Sequence, residues 1–500
     1  MSRFRTIAAV GLVTGLLAAS GCSAGSSADS SESRDSATLA FTAEPANLDF
    51  TTTDGAAIPQ VLMDNVYEGL VKLDQTGEIV PSLAKSWTIS PDRRTYEFKL
   101  QEDATFSNGE PFTAEDVKFS IERVQSDAWT ISLKSYMDPV DRVEVVSPDT
   151  VRVVLSQPSN SWLFYMTTRV GAMFDPKGVS DLANQPVGTG PYELAEWNRG
   201  DSIVLRRRDD YWGEEPALRT VTFKYFQDAT SASNALLSGG ADVIANYQAL
   251  DALAQFEGDD RFEISEGTTN GEVVLAMNNA SGPLQDVRLR KAVMYAVDRQ
   301  ALLESTSNGM GQLIGSMVPP TDPWYEDLSD FYTHDPQRAR QLVEQAGGPV
   351  RLRLRVPNLP YAVAAAQVVK SDLAEVGINA VIQPLEFPAA WLQQVFTNHS
   401  YDMSIISHVE PRDIATFADP AYYWGYDNPK VQQLVAEADT GTPQQQTARM
   451  QEVARILAED AVADWLYLFP NVHVFAAGLG GVPQNQVGES FDVTDLSWAS

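Results

Sequence analysis

Apolar and polar residues alternate with a period of two along much of the first half of the chain, a pattern typical of β-strands. In SWTISPDRRTYEFKL (86–100), Tyr96, Phe98 and Leu100 share one face after a Pro-Asp turn, which predicts a hairpin. RVEVVSPDTVRVVL (142–155) repeats this arrangement around SPDT. Two further strands with this period are predicted at 202–212 and 219–226.

Helical spacing of apolar residues lies between these strands and dominates after Pro283. In PFTAEDVKFSIERV (111–124), Thr113 is predicted to cap a helix, and Asp116 stands three residues on as in a capping box. The other predicted helices are 54–74, 229–239, 286–304, 334–347, 361–378 and 447–461. Strands at 351–357, 379–386 and 401–408 separate the later helices, so this part is predicted to be an α/β domain.

The N-terminal residues have the features of an export signal. Arg3 and Arg5 precede TIAAVGLVTGLLAAS (6–20), an uncharged run shorter than the roughly 20 apolar residues that span a bilayer. Cys22 follows small residues and resembles the acylated cysteine of bacterial lipoproteins, although Ala19 stands where that motif prefers leucine.

Cys22 is the only cysteine in the sequence, so it cannot form an intramolecular disulfide. We expect 1–21 to be a lipoprotein signal peptide, Cys22 to be the lipidation site and 22–36 to be a flexible tether. The alternative is an ordinary secretory signal with a stray cysteine.

Charge and motifs exclude several classes of function. With 36 Lys and Arg against 67 Asp and Glu, the net charge is −31, and nucleic acid is not an expected partner. SLAK (82–85) matches Ser-x-x-Lys, but the partner motifs Ser-Asp-Asn and Lys-Thr-Gly are absent from the sequence. The four histidines are dispersed, although His408 lies two residues from Glu410. We therefore expect no enzyme, no metal and no cofactor.

A set of motifs in fixed order resembles family 5 extracytoplasmic solute-binding proteins, the peptide, dipeptide and nickel receptors of ABC importers. The motifs are EPANLDF, VYEGLVKLD, IVPSLAKSWTISPDRRTYEFKLQEDATFSNGEPFTAEDVKFSIERV, PVGTGPYELAEW, RRDDYWG, ADVIANY, MNNASGPLQDVRLRKAVMYAVDR and YDMSI. The resemblance covers roughly residues 37–475. It implies an α/β fold of the periplasmic-binding-protein type, two-lobed around a cleft (class II), with an extra inserted domain.

The resemblance also implies a domain layout. Domain I is expected to be discontinuous, domain II inserted, and domain III to close on the ligand by a hinge motion. The expected segments are 37–68 (I), 69–185 (II), 186–272 (I), 273–466 (III) and 467–500 (I). Six aromatic residues of these motifs are expected to pack in the core or between domains and not to contact the ligand, namely Tyr67, Trp87, Tyr96, Phe98, Tyr192 and Trp212.

The expected ligand site lies in SIISHVEPRDIATF (404–417). In peptide-binding members of the family, an aspartate here pairs with the α-amine of the ligand. Glu410 falls at that place, and Arg412 and Asp413 follow it. The alternative is a loop whose charges face solvent. Tyr423 and Trp424 are candidates to stack on a ligand or to pack the lobe.

The implied function is that of a lipid-anchored, monomeric receptor on the outer face of the cell membrane. It would capture a peptide or related small polar solute and deliver it to ABC permease and ATPase subunits. VPNLPYAV (356–363) lacks the arginine with which dipeptide receptors hold a carboxylate, which disfavours a strict dipeptide receptor. The alternative function is a transport-inactive sensor or envelope-assembly lipoprotein.

Overall fold

The computed structural model describes residues 34–499. The predicted signal segment 1–21, Cys22 and most of the predicted tether lie outside this range. No helix among the described residues is both long and apolar enough to cross a membrane.

Twenty strands and eleven α-helices make up the regular structure of the described residues. The strands are β1 Ser36–Phe41, β2 Val71–Leu73, β3 Ile79–Pro81, β4 Ala84–Ile89, β5 Thr95–Leu100, β6 Val140–Ser147, β7 Thr150–Leu155, β8 Tyr192–Asn198, β9 Ser202–Arg207, β10 Thr220–Tyr225, β11 Val243–Ile244, β12 Phe262–Gly267, β13 Glu272–Met277, β14 Val350–Pro357, β15 Ile378–Leu385, β16 Met403–His408, β17 Ala463–Leu468, β18 Asn471–Ala476, β19 Leu479–Gly480 and β20 Ser497–Trp498. The helices are α1 Ala57–Leu62, α2 Ala114–Gln125, α3 Asn160–Tyr165, α4 Ala229–Leu237, α5 Val287–Ala296, α6 Arg299–Ser307, α7 Pro336–Gln345, α8 Pro360–Glu375, α9 Ala389–Trp391, α10 Pro429–Thr440 and α11 Pro443–Glu459. Short 3-10 helices lie at Ser132–Met137, Arg169–Gly171, Val179–Asp181, Leu250–Gln255, Pro283–Gln285, Ser329–Phe331 and Asp413–Ala418, and a π-helix at Leu392–Thr397.

The largest sheet has seven strands in the order β12-β18-β11-β1-β10-β9-β8. Its central strand β1 pairs in parallel with both β10 and β11. The carboxyl ends of β1 and β11 therefore meet at one edge, the place where open α/β sheets bind ligands.

A four-stranded antiparallel sheet, β4-β5-β7-β6, contains both predicted hairpins. Val143 lies opposite Val153, and Val145 lies opposite Val151, so the predicted pairing around SPDT is confirmed. Helix α2 covers this sheet and begins at the predicted capping box, where the Thr113 backbone N–H donates to the Asp116 carboxylate over 2.8 Å. One continuous core joins this sheet to the seven-stranded sheet.

The third sheet has five strands in the order β15-β14-β16-β13-β17. Strand β14 is parallel to β15 and β16, whereas β13 is antiparallel to its neighbours. Val273, Leu275 and Met277 pack on one face under helices, and Val274 and Ala276 pack on the other. This alternation of strands and helices confirms the predicted α/β class for 273–466.

Two short crossings connect the seven-stranded and five-stranded sheets: Thr268–Gly271 leads from β12 to β13, and Phe469–Pro470 leads from β17 to β18. The crossings are hydrogen-bonded to each other, because the Thr269 Oγ1 donates to the Phe469 carbonyl (3.1 Å) and the Phe469 N–H donates to the Gly271 carbonyl (2.9 Å). Among the described residues, the buried members of each apolar cluster lie on one side of the crossings, and half-buried Met310 packs across them against the cluster of Val472 and Val474. The domain boundaries themselves stay a prediction.

Two predicted helices are wrong in extent. The helix expected over 54–74 ends at Leu62, because the Asn65 side chain fixes the following turn by donating to the Val61 and Phe491 carbonyls, each over 3.0 Å. The helix expected over 286–304 is two helices, since Asp298 caps α6 by accepting a hydrogen bond from the Ala301 N–H (3.0 Å).

The GTGPY motif is structural. A Cβ at Gly188 would lie 1.9 Å from the Val66 carbonyl oxygen, so only glycine allows this approach. The Tyr192 N–H donates to the Asn65 carbonyl (2.9 Å), and its hydroxyl donates to the Leu218 carbonyl (3.0 Å). The motif thus fastens the chain before β8 to the segment after α1.

Candidate functional site

A cavity of about 460 Å³ lies where the two crossings meet. It is lined from the seven-stranded sheet, from the five-stranded sheet and from both crossings by Phe41, Thr42, Ala43, Ala56, Gln60, Ala245, Asn246, Gln248, Thr269, Asn270, Gly271, Ser407, Val409, Phe469, Pro470, Gln486 and Gly488. Its floor follows the carboxyl ends of β1 and β11, and its opposite wall follows the end of β16. This is the geometry of an interlobe ligand site.

Asn246 is held in the cavity by a buried histidine. Its backbone has a φ of 49°, and its N–H donates to Nδ1 of His473 over 3.1 Å. Burial lowers the pKa of His473 to about 4, so the imidazole is neutral near pH 7 and its Nδ1 remains an acceptor.

Ser407 forms the facing wall. Its N–H donates to the Tyr361 hydroxyl (2.9 Å), whereas its buried Oγ has no hydrogen-bond partner among residues 34–499. Tyr361 belongs to VPNLPYAV, the segment expected to lack a carboxylate-binding cation. In this segment, the Tyr361 hydroxyl therefore accepts a hydrogen bond from the backbone of β16.

Four of the five predicted site residues surround His408. Its Nδ1 lies 3.0 Å from Asp413 Oδ2, and its Nε2 lies 2.8 Å from the Tyr423 hydroxyl. Ligand atoms of His408, Glu410 and Asp413 lie within 4.8 Å of one another. The Trp424 ring stacks on the imidazole at 4.9 Å.

These residues differ in their exposure. Glu410 faces solvent, whereas Asp413 is buried. Tyr423 and Trp424 are also buried, and both belong to the apolar cluster on the face of the five-stranded sheet that carries Val274 and Ala276. A ligand role for each of these residues stays a prediction.

Arg412 lies apart from His408 and links two parts of the fold. Its guanidinium carbon lies 3.6 Å from the Phe164 ring of α3 and 4.9 Å from the Trp324 ring. Its Nε lies 3.6 Å from Asp322 Oδ1. Burial lowers the pKa of Arg412, and burial raises that of Asp322 to about 6. Its ligand role also stays a prediction.

Glu272, which sequence reasoning missed, belongs to the same group. It begins β13 directly opposite His408 on β16 and is 1% exposed. Burial, and then the charge of Asp413, raise the pKa of Glu272 well above its usual range. The signal in the sequence is a carboxylate that opens an otherwise apolar strand, GEVVLAM.

Comparison with known proteins identifies the family. The profile of the bacterial extracellular solute-binding proteins, family 5 (middle region), matches residues 78–429. The chain belongs to this family. Family 5 proteins are solute-binding proteins, so the prediction that the chain is not an enzyme is confirmed.

Two family 5 relatives come from Escherichia coli K12. The chain is 28% identical over 344 residues to the nickel-binding periplasmic protein, covering 63% of this chain and 64% of that protein. It is 28% identical over 362 residues to the probable ABC transporter periplasmic-binding protein SapA, covering 66% of each. The chain thus aligns with less than two thirds of the length of each of these relatives.

Solved family 5 structures share the fold. The ABC transporter substrate-binding protein CtaP of Listeria monocytogenes superposes with a TM-score of 0.84 at 21% identity, covering 94% of this chain and 100% of that one. HbpA2 of Haemophilus parasuis gives a TM-score of 0.81 at 20% identity, covering 93% and 100%. The predicted two-lobed fold of the periplasmic-binding-protein type is confirmed.

The family 5 scaffold here brings together a histidine and two carboxylates, but the contacts of His408 argue against a metal. If the Tyr423 hydroxyl donates to Nε2, then Nδ1 carries the proton and lies 3.0 Å from Asp413 Oδ2. Neither ring nitrogen then has a free lone pair for a cation. The arrangement favours a Tyr423–His408 hydrogen bond, with the Asp413 carboxylate 3.0 Å from the opposite ring nitrogen.

Proposed function

We propose that this protein is the solute-capture receptor of an ABC importer, which binds a peptide or related small polar solute in the cavity between its two lobes. The observation that carries the proposal is the cavity at the paired crossings, with walls from both sheets. Family membership and the transport proteins among its relatives support it.

The construction supports hinge closure. The two lobes have separate buried cores, and they are joined by two short crossings that are hydrogen-bonded to each other. A few residues at such crossings can absorb the rotation of one lobe against the other. Closure on a solute removes water from the cavity and strengthens each polar contact inside.

The lining supports a small polar solute. Asn246, Gln248 and Asn270 bring amide groups to the cavity, and Phe41 and Phe469 bring aromatic rings. Sites of this kind combine apolar walls with a few well-placed polar groups. Glu410 and Asp413 are proposed to orient the solute through a positively charged group, with Arg412, Tyr423 and Trp424 as the supporting residues.

We also propose that a lipid anchors the receptor to the membrane. Cys22 would carry the lipid, and the residues up to 36 would tether a monomeric receptor to the outer face of the membrane beside its permease and ATPase subunits. Bacterial lipoproteins carry more than one acyl chain, which makes such anchoring stable.

The lipid anchor is tested by replacing Cys22 with Ala in the full-length chain. The wild-type protein should enter the detergent phase on Triton X-114 partitioning, and C22A should remain in the aqueous phase. A wild-type protein found wholly in the aqueous phase would contradict the anchor and leave the receptor function open.

The receptor function is tested by extracting co-purified compounds and identifying them by mass spectrometry. The identified compound should be returned to protein that has been freed of it by unfolding and refolding. Small-angle scattering should then show a smaller radius of gyration, and the compound should be recovered unchanged. A compound recovered chemically altered, or the absence of both bound compound and compaction, would overturn the proposal.

A further inference from the structure

The residues that line the cavity between the lobes are all uncharged, although the chain as a whole carries a net charge of −31. In a second cavity, of about 400 Å³, the lining includes Lys72 and the carboxylates of Asp64, Glu68, Glu214, Glu215 and Asp495. The lack of charge is therefore a particular property of the cavity between the lobes. An ionised group that entered this cavity would lose water without meeting a counter-ion.

The charges that follow cavity residues along the chain are held outside the cavity. Glu489 comes directly after Gly488 and accepts hydrogen bonds from the backbone N–H and the Nε of buried Arg169, over 2.6 and 2.7 Å. Glu410 comes directly after Val409, but it does not line the cavity. A charged end of the solute can thus be held beside the cavity while an uncharged part lies inside it.

Val409 offers an apolar surface inside the cavity. It follows β16, lines the cavity and is 64% exposed. Phe41 and Phe469 line the same cavity with rings that are already fixed: the Phe41 ring lies 5.4 Å from that of Phe223, and the Phe469 ring lies 4.8 Å from that of Tyr361. An apolar side chain left in water within a binding cavity is stabilised when an apolar group covers it.

Neutral amides supply the polar groups of the cavity. Gln248 Nε2 donates to Asn246 Oδ1 over 2.6 Å, which leaves Asn246 Nδ2 as a donor and Gln248 Oε1 as an acceptor for a solute. Asn270 Nδ2 donates to the Val487 carbonyl over 3.1 Å, which leaves the amide oxygen of Asn270 as a further acceptor. Paired donors and acceptors of this kind match an amide group, and they need no charge on the solute.

We infer that the cavity binds an uncharged part of the solute, an amide with an apolar side group next to it, and that Val409 is a specificity-determining residue in contact with that apolar group. The inference rests on the proposed receptor function. A branched aliphatic or aromatic group would remove the surface of Val409 from water. An ammonium, guanidinium or carboxylate at the same place would be desolvated without a partner, so the receptor should discriminate against it.

The probes are three sets of tripeptides, X-Ala-Ala, Ala-X-Ala and Ala-Ala-X, in which X is leucine, phenylalanine, lysine or glutamate. Each is added to refolded, ligand-free full-length protein, and binding is measured by calorimetry. At one of the three positions, the leucine or phenylalanine peptide should bind about tenfold or more tightly than the lysine and glutamate peptides. The position that shows this preference is the one seated in the cavity.

Val409→Asp tests the role of the valine at that position. It should weaken the preferred apolar peptide about tenfold or more, and it should reduce or reverse the preference over the lysine peptide. Val409→Thr, which keeps the branched shape and exchanges a methyl group for a hydroxyl, should weaken the same peptide about threefold. Val146→Asp is the matched control, because Val146 lies on β6 and is also a highly exposed valine, at 50%. It should leave binding and selectivity unchanged.

Three results would overturn the inference. The first is the absence of a preference for an apolar X at every position of the tripeptide. The second is a preference that V409D leaves as it is in V146D. The third is a failure of every tripeptide to bind, after which the receptor function would depend on the co-purified compound alone. Compaction of the protein by a tripeptide that shows no preference would leave the receptor function standing while the inference fails.

A second variant separates the cavity from any folding defect of V409D. Gln60 lines the cavity from α1, and Gln60→Glu introduces a charge without a change of shape. Q60E should weaken the preferred apolar peptide in the same direction as V409D does. Thermal unfolding of each variant shows which ones are folded, and unchanged binding of that peptide to folded Q60E would count against an uncharged cavity.

Discussion

A buried imidazole couples the folding of this protein to pH. Burial lowers the pKa of His473 to about 4, whereas an unfolded histidine titrates near 6.5. Between these values the unfolded chain binds a proton that the folded chain does not bind. The free energy of unfolding contributed by His473 is therefore present above pH 6.5 and decreases as the pH falls towards 4, by about 3 kcal/mol in all.

Urea unfolding between pH 4.5 and 7.5 checks this. As the pH falls, the free energy of unfolding of wild type should decrease more than that of His473→Gln. The difference between the two curves gives the contribution of the histidine without that of the carboxyl groups. Parallel curves would show that folding does not lower the pKa of His473, and the contribution of its burial to the pH dependence would then fail.

Glu410 should matter less for binding than its position in the family motif suggests. Its side chain is exposed, and exposed ion pairs contribute about 0.2–1 kcal/mol. We expect Glu410→Gln to weaken a cationic solute less than about tenfold. Calorimetry on the identified solute measures this, and a larger loss would mean that closure of the lobes buries Glu410.

At the scale of elements, a glycine in the GTGPY motif controls the packing of two chain segments. A Cβ on Gly188 would meet the Val66 carbonyl oxygen at 1.9 Å, and that backbone is itself fixed by Asn65. Gly188→Ala should therefore destabilise the protein by about 2 kcal/mol or more, in the range of severe packing changes.

Thermal unfolding of G188A checks this prediction. Gly488→Ala is the control, because Gly488, like Gly188, has no positive φ, and nothing lies within 4 Å of its Cβ position. If G188A were no less stable than G488A, the close approach to Val66 would not be a constraint on the fold.

Sequence patterns correctly predicted the structural elements that depend only on neighbouring residues. The hairpin around SPDT and the capping box of Thr113 depend on a few adjacent residues, and both are confirmed. The helix over 54–74 was overpredicted because Asn65 bonds to Phe491, which lies 426 residues away in the sequence. The break between α5 and α6 depends on Asp298, a local capping signal within an otherwise continuous apolar pattern.

The candidate site, too, could be predicted only where its residues are neighbours in the sequence. The motif containing Glu410, Arg412 and Asp413 could be found from the sequence, because these residues lie together on one segment. Glu272 lies more than 130 residues earlier, and only the pairing of β13 with β16 places it opposite His408. The burial that distinguishes Asp413 from Glu410 likewise depends on packing between distant segments.

At the scale of the molecule, contacts between α3 and α10 hold the lobes together at a second place besides the crossings. The Asp439 carboxylate accepts hydrogen bonds from the Ser161 N–H (2.9 Å) and the Ser159 hydroxyl (3.1 Å). Asn160 Nδ2 donates to the Ala438 carbonyl over 2.7 Å. Because α3 shares a core with the seven-stranded sheet, these bonds join the two lobes.

Asp439→Ala should shift the ligand-free protein towards an open form. Small-angle scattering should give a larger radius of gyration for D439A than for wild type, and the difference should decrease when solute is added. Glu437→Ala is the control, because Glu437 lies on the same helix and pairs with Arg449 of α11. Equal radii for D439A and E437A would exclude Asp439 as a closure contact.

The paired crossings also make one lobe exchangeable. The chain leaves for the five-stranded sheet at Gly271 and returns at Phe469, and the two residues are hydrogen-bonded over 2.9 Å, so the whole excursion begins and ends at one point in space. Segments whose ends lie so close can be inserted or replaced with little disturbance of the host. Residues 272–468 of this chain could thus be grafted onto the seven-stranded body of a family 5 relative as a single cassette. Such a chimera would carry Glu272, Glu410 and Asp413 together, and it would separate the determinants of solute choice from those of the surface offered to a transporter.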